Sequence, residues 1–110
     1  MRLPNNHLAV IAQSKLVDYI LNPAHPDNGG KAECFLVLGF TLANWEQLAA
    51  ALRRLAVETE ATDLVESPYG TKYVLDGWLI GQENGRVMVR TVWIVDIGAH
   101  FPRLVTAYPI

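Results

Sequence analysis

The sequence predicts an α+β domain in which three N-terminal helices pack on a mainly antiparallel sheet of about four strands. Three observations lead there. Apolar residues recur at three- and four-residue spacing in the first half of the chain and alternate with other residues in the second. An Asn84-Gly85 pair stands between two β-rich runs and is the strongest hairpin signal present. The 110 residues suffice for one hydrophobic core and not for two, so residues 1–110 are read as a single domain.

The elements follow in order. After an extended start, Ser14 is placed to cap a short helix whose Leu16, Val17, Ile20 and Leu21 share one side, and Asn22-Pro23 ends it. Residues Asn22 to Gly30 hold two prolines and two glycines and read as a structured loop. A second helix is predicted over Lys31 to Leu38, burying Cys34, Phe35 and Leu38, with Gly39 closing it in a left-handed conformation. Thr41 or Asn44 starts the third, on which Leu42, Trp45, Leu48, Ala49, Leu52 and Leu55 or Ala56 form one apolar stripe. Strands are then expected over Thr62 to Ser67, Thr71 to Ile80 with Gly77 as a bulge, Arg86 to Asp96 and Arg103 to Tyr108, with Pro68-Tyr69-Gly70 as a turn.

Alternation assigns the faces. With Val87, Val89, Trp93 and Val95 turned to the helices, Arg86 and Arg90 emerge on the opposite side. In the last strand Val105 and Ala107 are the expected buried pair, which puts Thr106 and Tyr108 beside Arg90 if the two strands are neighbours. Met88, Val92, Ile94 and Leu104 share that open face, so a homodimer partner or the N-terminal segment is a candidate to cover it.

Composition narrows the function. A chain with 51% hydrophobic and 18% charged residues is that of a compact globular protein. The net charge of −2 argues against broad electrostatic capture of nucleic acid. Residues 1–68 carry five Lys/Arg against eight Asp/Glu and residues 69–110 four against three, so any anion-binding surface is expected on the second half. No apolar run is long enough to span a bilayer, and Met1 to Asn6 lacks the apolar stretch of a signal peptide; a cytoplasmic location and no membrane association are expected. Cys34, the one cysteine, reads as a buried inert thiol. His7, His25 and His100 lie far apart in sequence and no cysteine or histidine pair has metal spacing, so neither a metal nor another cofactor is expected.

One segment carries candidate chemistry. His25-Pro26-Asp27-Asn28-Gly29-Gly30-Lys31 places an imidazole and an ammonium where a loop enters a helix, whose backbone N–H groups favour an anion. Metal-independent cleavage of RNA needs a base for the ribose 2′-OH, an acid for the 5′-oxygen and cations for the crowded phosphate, which these residue types supply. The plainer alternative makes His25 a turn residue and Lys31 a solvated first-turn lysine. Tyr69 and Lys72, in a turn holding a cation between phenols, are candidates for gripping phosphate or stacking on a base, and Arg86 on the open face is a third substrate-binding candidate; such aromatics, Tyr73 above all, also pack across strands. Trp93 reads as core.

Several stretches together resemble a known family: Leu16 to Leu21 followed by Asn22-Pro23-Ala24-His25-Pro26, then Gly30-Lys31-Ala32, Leu38-Gly39-Phe40, Pro68-Tyr69-Gly70-Thr71-Lys72-Tyr73, Arg90-Thr91-Val92-Trp93 and Pro102 to Pro109. They are similar to an uncharacterised bacterial domain family found free-standing and at the C-terminal ends of adhesin-like toxins. One step further out, that family resembles the barnase, EndoU, colicin and RelE-like ribonuclease fold. The resemblance implies catalytic roles for His25 and Lys31 and phosphate-holding or orienting roles for Arg90, Thr106 and Tyr108. No second histidine stands where a two-histidine mechanism needs one. The expected function is a metal-independent endoribonuclease of toxin type, acting on RNA such as tRNA through 2′-OH attack, with a small cognate antitoxin or immunity protein as partner. The alternative is a non-catalytic interaction module, itself of immunity or antitoxin type.

Overall fold

The computed structural model describes residues 1–83 and 85–110; Asn84, half of the expected hairpin turn, lies outside the described residues. Two α-helices, α1 (Lys31–Val37) and α2 (Trp45–Glu58), and four strands, β1 (Asp63–Ser67), β2 (Gly70–Ile80), β3 (Arg86–Asp96) and β4 (Arg103–Pro109), make an α+β fold. The strands form a single antiparallel sheet in the order β1-β2-β3-β4.

The expected trio of N-terminal helices is corrected. Residues Lys15–Ile20 coil with π-type geometry, and Ser14 is itself helical and makes no capping bond. The wide turn lets Leu16 and Ile20 face the core while Leu21 N closes on Leu16 O at 2.8 Å. The third helix begins with a 3₁₀ turn over Leu42–Asn44, in which Thr41 N donates to Asn44 Oδ1 at 2.6 Å. That tight turn rotates Leu42 out of the stripe and into solvent, while Leu48, Ala49, Leu52, Leu55 and Ala56 are buried as the spacing predicts. Gly39 ends α1 at φ +91°, in the left-handed region that glycine adopts without cost. Cys34 is half-buried, and burial raises its thiol pKa.

The sheet alternates over most of its length; Ile94, expected on the open face, is buried beside Trp93. Tyr73, Leu75 and Leu79 on β2 lie with Val89 and Trp93 on β3 against the helices. Trp93 is core: its Nε1 donates to Thr91 Oγ1 at 2.9 Å, and Thr91 Oγ1 donates to Leu75 O at 3.0 Å, so this buried polar chain is satisfied. Gly77 is no bulge, because the β2–β3 register runs unbroken through it. It is there because α2 comes close: a Cβ on Gly77 would stand 2.8 Å from Thr59 Oγ1 and 3.2 Å from Leu55 Cγ. The irregularity lies instead opposite Val92 and Trp93, where β4 accommodates Val105 as an extra residue. The shift makes Leu104 and Ala107 the buried pair in place of the expected Val105 and Ala107. Thr106 and Tyr108 then fall opposite Val92 and Arg90 on the other face.

The outer edge of β4 is closed by the N-terminal segment: Val10 N donates to Pro102 O at 2.9 Å and Leu104 N to Val10 O at 3.0 Å. Beyond that bridge the π-turned segment and α1 both pack on β4. No single helix among the described residues is long and apolar enough to cross a membrane.

Candidate functional site

The loop that leads into α1 is held by its own polar side chains. Ala24 N donates to Asn22 Oδ1 at 3.0 Å, and Asp27 N donates to His25 Nδ1 at 3.0 Å. With Nδ1 accepting, the neutral imidazole carries its proton on Nε2. Asn28 is buried at 1% exposure; its Nδ2 donates to Tyr19 O at 2.7 Å and Ile20 O at 3.1 Å, and its Oδ1 accepts from Ala32 N at 3.0 Å. One amide thus ties the π-turned segment, the loop and α1 into a unit. Two of the helix-start N–H groups expected to hold an anion are thereby taken, Ala32 N by the Asn28 side chain and Lys31 N by the Asn28 backbone carbonyl at 3.1 Å. Lys31 Nζ donates to the carbonyls of Asp27 and Asn28 at 3.1 and 3.2 Å, and its third donor is shared between the Tyr19 hydroxyl and any ligand.

Three elements converge where this unit meets β4. Tyr19 is at the centre, its hydroxyl 3.1 Å from Thr106 Oγ1. Its ring stands edge-on to His25 with 5.0 Å between centroids, and Lys15 Nζ and Lys31 Nζ lie 5.6 and 5.3 Å from the ring centre. Lys31 Nζ also lies 5.8 Å from the Tyr108 ring. Four of the sequence-predicted residues, His25, Lys31, Thr106 and Tyr108, are therefore grouped around a fifth that sequence reasoning missed. A shallow groove of about 550 Å³ opens here, lined by Ser14, Lys15, Asp18, Tyr19, His25, Asp27, Val105 and Thr106.

The electrostatics favour charge separation. Burial opposes ionisation of the Tyr19 phenol, but the Thr106 hydroxyl and the Lys31 and Lys15 ammonium groups outweigh it, and its pKa falls below the ordinary tyrosine value.

Arg90 is placed beside Tyr108 but is already engaged. Its Nε and Nη2 donate to the two oxygens of Asp76 at 2.9 Å each, in a bidentate pair across β2 and β3. The pair holds Asp76 below the usual carboxylate range, and Asp76, then Tyr108, keep the guanidinium protonated. The phosphate-holding role expected of Arg90 thus falls to a cation whose charge is matched. Because the Asp76 pKa is depressed, its contribution to stability is complete above about pH 4, the unfolded value, and is lost as pH falls through the folded value. The stability difference between the wild type and Asp76→Asn in urea melts is expected to narrow from pH 7 to pH 3.

The three predicted substrate-binding residues stay outside this cluster. Tyr69 is 79% exposed at the turn between β1 and β2, and Lys72 lies between Val65 and Ile94 near the same end of the sheet. Arg86 sits at the far end of β3, its guanidinium 4.3 Å above the Trp78 ring.

Comparison with known proteins fits this architecture. Among curated proteins none matches the sequence. The fold is similar to a chain of a contact-dependent growth inhibition toxin and immunity protein complex from Klebsiella pneumoniae 342, with a TM-score of 0.73 at 14% identity over 94% of this chain and 95% of that one. At that identity the likeness is one of fold. Residues 2–110 match the family model described as Domain of unknown function (DUF6883), and the chain belongs to that family.

Proposed function

We propose that this chain is a metal-independent endoribonuclease of toxin type, acting where the π-turned segment, the loop and β4 meet. The observation that carries the reading is the grouping of His25, Lys31 and Thr106 around Tyr19, with Tyr108 beside Lys31, delivered by separate stretches of chain; Tyr19, His25 and Thr106 line the groove. Tyr19, whose ionisation the Thr106 hydroxyl and the two lysines ease, takes as phenolate the proton of the ribose 2′-OH. The 2′-oxygen then bonds to phosphorus, and the remaining donor of Lys31 holds a non-bridging oxygen as charge builds on it. The bond from phosphorus to the 5′-oxygen breaks. His25 gives that oxygen its proton from the doubly protonated form, in which Nδ1 no longer accepts the N–H of Asp27. The products are a 2′,3′-cyclic phosphate and a free 5′-hydroxyl. Thr106 and Tyr108 orient Tyr19 and the phosphate.

A toxin of this kind requires a cognate immunity protein, and the similar fold in a toxin and immunity complex supports that pairing. The same likeness, with the half-exposed Trp78 and Ile80 on the open face, favours a second reading in which the chain is the non-catalytic member of such a pair. Incubation of the purified protein with tRNA and total RNA in EDTA separates the two. Cleavage by the wild type and its loss in His25→Ala are expected. RNA left intact at high protein concentration, or cut equally by the variant, counts against the nuclease.

A further inference from the structure

We infer that the free edge of β2 along Asp76–Ile80 is a docking slot for an extended segment of a partner protein, which adds to the sheet as a strand. β1 pairs only with Gly70–Val74, so the outer edge of β2 beyond Val74 has no neighbouring strand among the described residues. The direction of its backbone groups follows from the strand repeat. Val74 O accepts from Thr62 N on the β1 side, and every second residue turns its N–H and C=O the same way. Asp76, Trp78 and Ile80 therefore each present a donor and an acceptor outward, while Leu75, Gly77 and Leu79 bond to β3 opposite Thr91, Val89 and Val87. Among the described residues no other backbone group bonds to those of Asp76, Trp78 and Ile80 on the outer side.

A groove of about 790 Å³ runs along this edge. Ala50, Ala51, Arg54 and Leu55 of α2 form its wall, and Thr59 and Glu60 lie at its end. Its shape selects the occupant. Of the four strands α2 packs chiefly on β2, with Leu55 close over Gly77. A second copy pairing its own β2 here would bring a second α2 to about 4.8 Å, the spacing of paired strands, whereas packed helices need about 8–10 Å. The slot excludes such a copy and admits a strand with no helix above it. Backbone complementarity supplies affinity, and the side chains set selectivity. Residues of the incoming strand that face α2 must be small, against Ala50, Ala51 and Leu55. Those on the other side extend the half-exposed row of Trp78 and Ile80 and are apolar. The slot is remote from the Tyr19 cluster, and the inference stands whether or not that cluster cleaves RNA.

The test is a titration of the ¹⁵N-labelled full chain with the capped peptide Lys-Thr-Val-Ala-Val-Thr-Lys, small on one side and apolar on the other, read by amide hydrogen exchange. The amides of Asp76, Trp78 and Ile80 are expected to gain about tenfold or more in protection, and those of Leu75, Gly77 and Leu79 to stay as protected as before. The peptide methylated at the nitrogens that face the edge is expected to bind about tenfold more weakly, the loss of one or two hydrogen bonds. Ala50→Arg, an exposed change in the wall, is expected to block binding; should it misfold, the methylated peptide alone decides. Three results overturn the proposal: no protection at millimolar peptide, equal binding of the methylated peptide, or protection of these amides by self-association without peptide.

Discussion

Tyr19→Phe is expected to lower kcat/KM for RNA by roughly 10²–10⁴, the usual contribution of a positioned general base. The substitution removes one oxygen and keeps the ring that packs on His25 and Lys31, so thermal stability should stay close to wild type. The pH profile separates this role from a structural one. With Tyr19 as base and doubly protonated His25 as acid, the profile of kcat/KM is bell-shaped, because both forms must be present together, and Tyr19→Phe removes one limb. Lys31→Gln removes one of the two ammonium charges that lower the Tyr19 pKa. It should move the Tyr19 limb to higher pH and reduce the maximum by about 10²–10³, the range for losing one donor to a developing oxyanion. A Tyr19→Phe enzyme with normal kcat/KM would leave Tyr19 as a packing residue only.

Asn28→Ala is expected to destabilise the domain by about 2–4 kcal/mol, because it removes the side-chain partners of the buried Ile20 carbonyl and Ala32 N–H and one of the two donors on Tyr19 O. For a domain whose total stability is about 5–15 kcal/mol this is a large fraction, and the melting temperature should fall by roughly 10–20 °C. The same amide positions both halves of the candidate site, since it bonds Tyr19 O on one side and Ala32 N, next to Lys31, on the other. Cleavage should therefore fall in Asn28→Ala even at temperatures where the chain remains folded. Asn28→Asp keeps the acceptor for Ala32 N but turns a buried carboxylate oxygen onto Tyr19 O and Ile20 O, so thermal melts near neutral pH should rank it no higher than Asn28→Ala.

Much of the sheet was legible because alternation is a direct consequence of the strand repeat. Runs such as Val87, Val89, Trp93 and Val95 fix the face, and Thr106, Tyr108 and Arg90 come together on the other side as that pattern requires. Single insertions escape it. The extra residue at Val105 changes no periodicity that can be seen in a seven-residue strand, yet it exchanges Val105 for Leu104 in the core. In the sequence Gly77 points to conformational freedom, whereas its cause is the approach of Leu55 on α2 and of Thr59 just past its end, contacts distant in sequence.

The site was half legible for a related reason. His25 and Lys31 stand out as titratable groups in a loop, but Tyr19 lies beside the apolar stripe of Leu16, Val17 and Ile20 and reads as packing. Its neighbours Lys15 and Lys31, four residues before and twelve after, were the signal available. The Asp76–Arg90 pair was not legible. A two-residue turn at Asn84-Gly85 would set Glu83 opposite Arg86 and Leu79 opposite Arg90, whereas the register sets Ile80 opposite Arg86 and so Asp76 opposite Arg90. Asn28 gave no sign either, because a buried asparagine that organises a loop looks in sequence like any turn residue.

The measurement closest to the central claim is the chemistry of the cut ends, using an RNA oligonucleotide and its twin with a single 2′-deoxyribose at the cleaved position, both in EDTA. Cleavage of the first to a 2′,3′-cyclic phosphate, with the deoxy twin left whole, is the result predicted. A twin that is cut as readily, or ends bearing a 5′-phosphate, would mean that water and not the ribose hydroxyl attacks, and would contradict it.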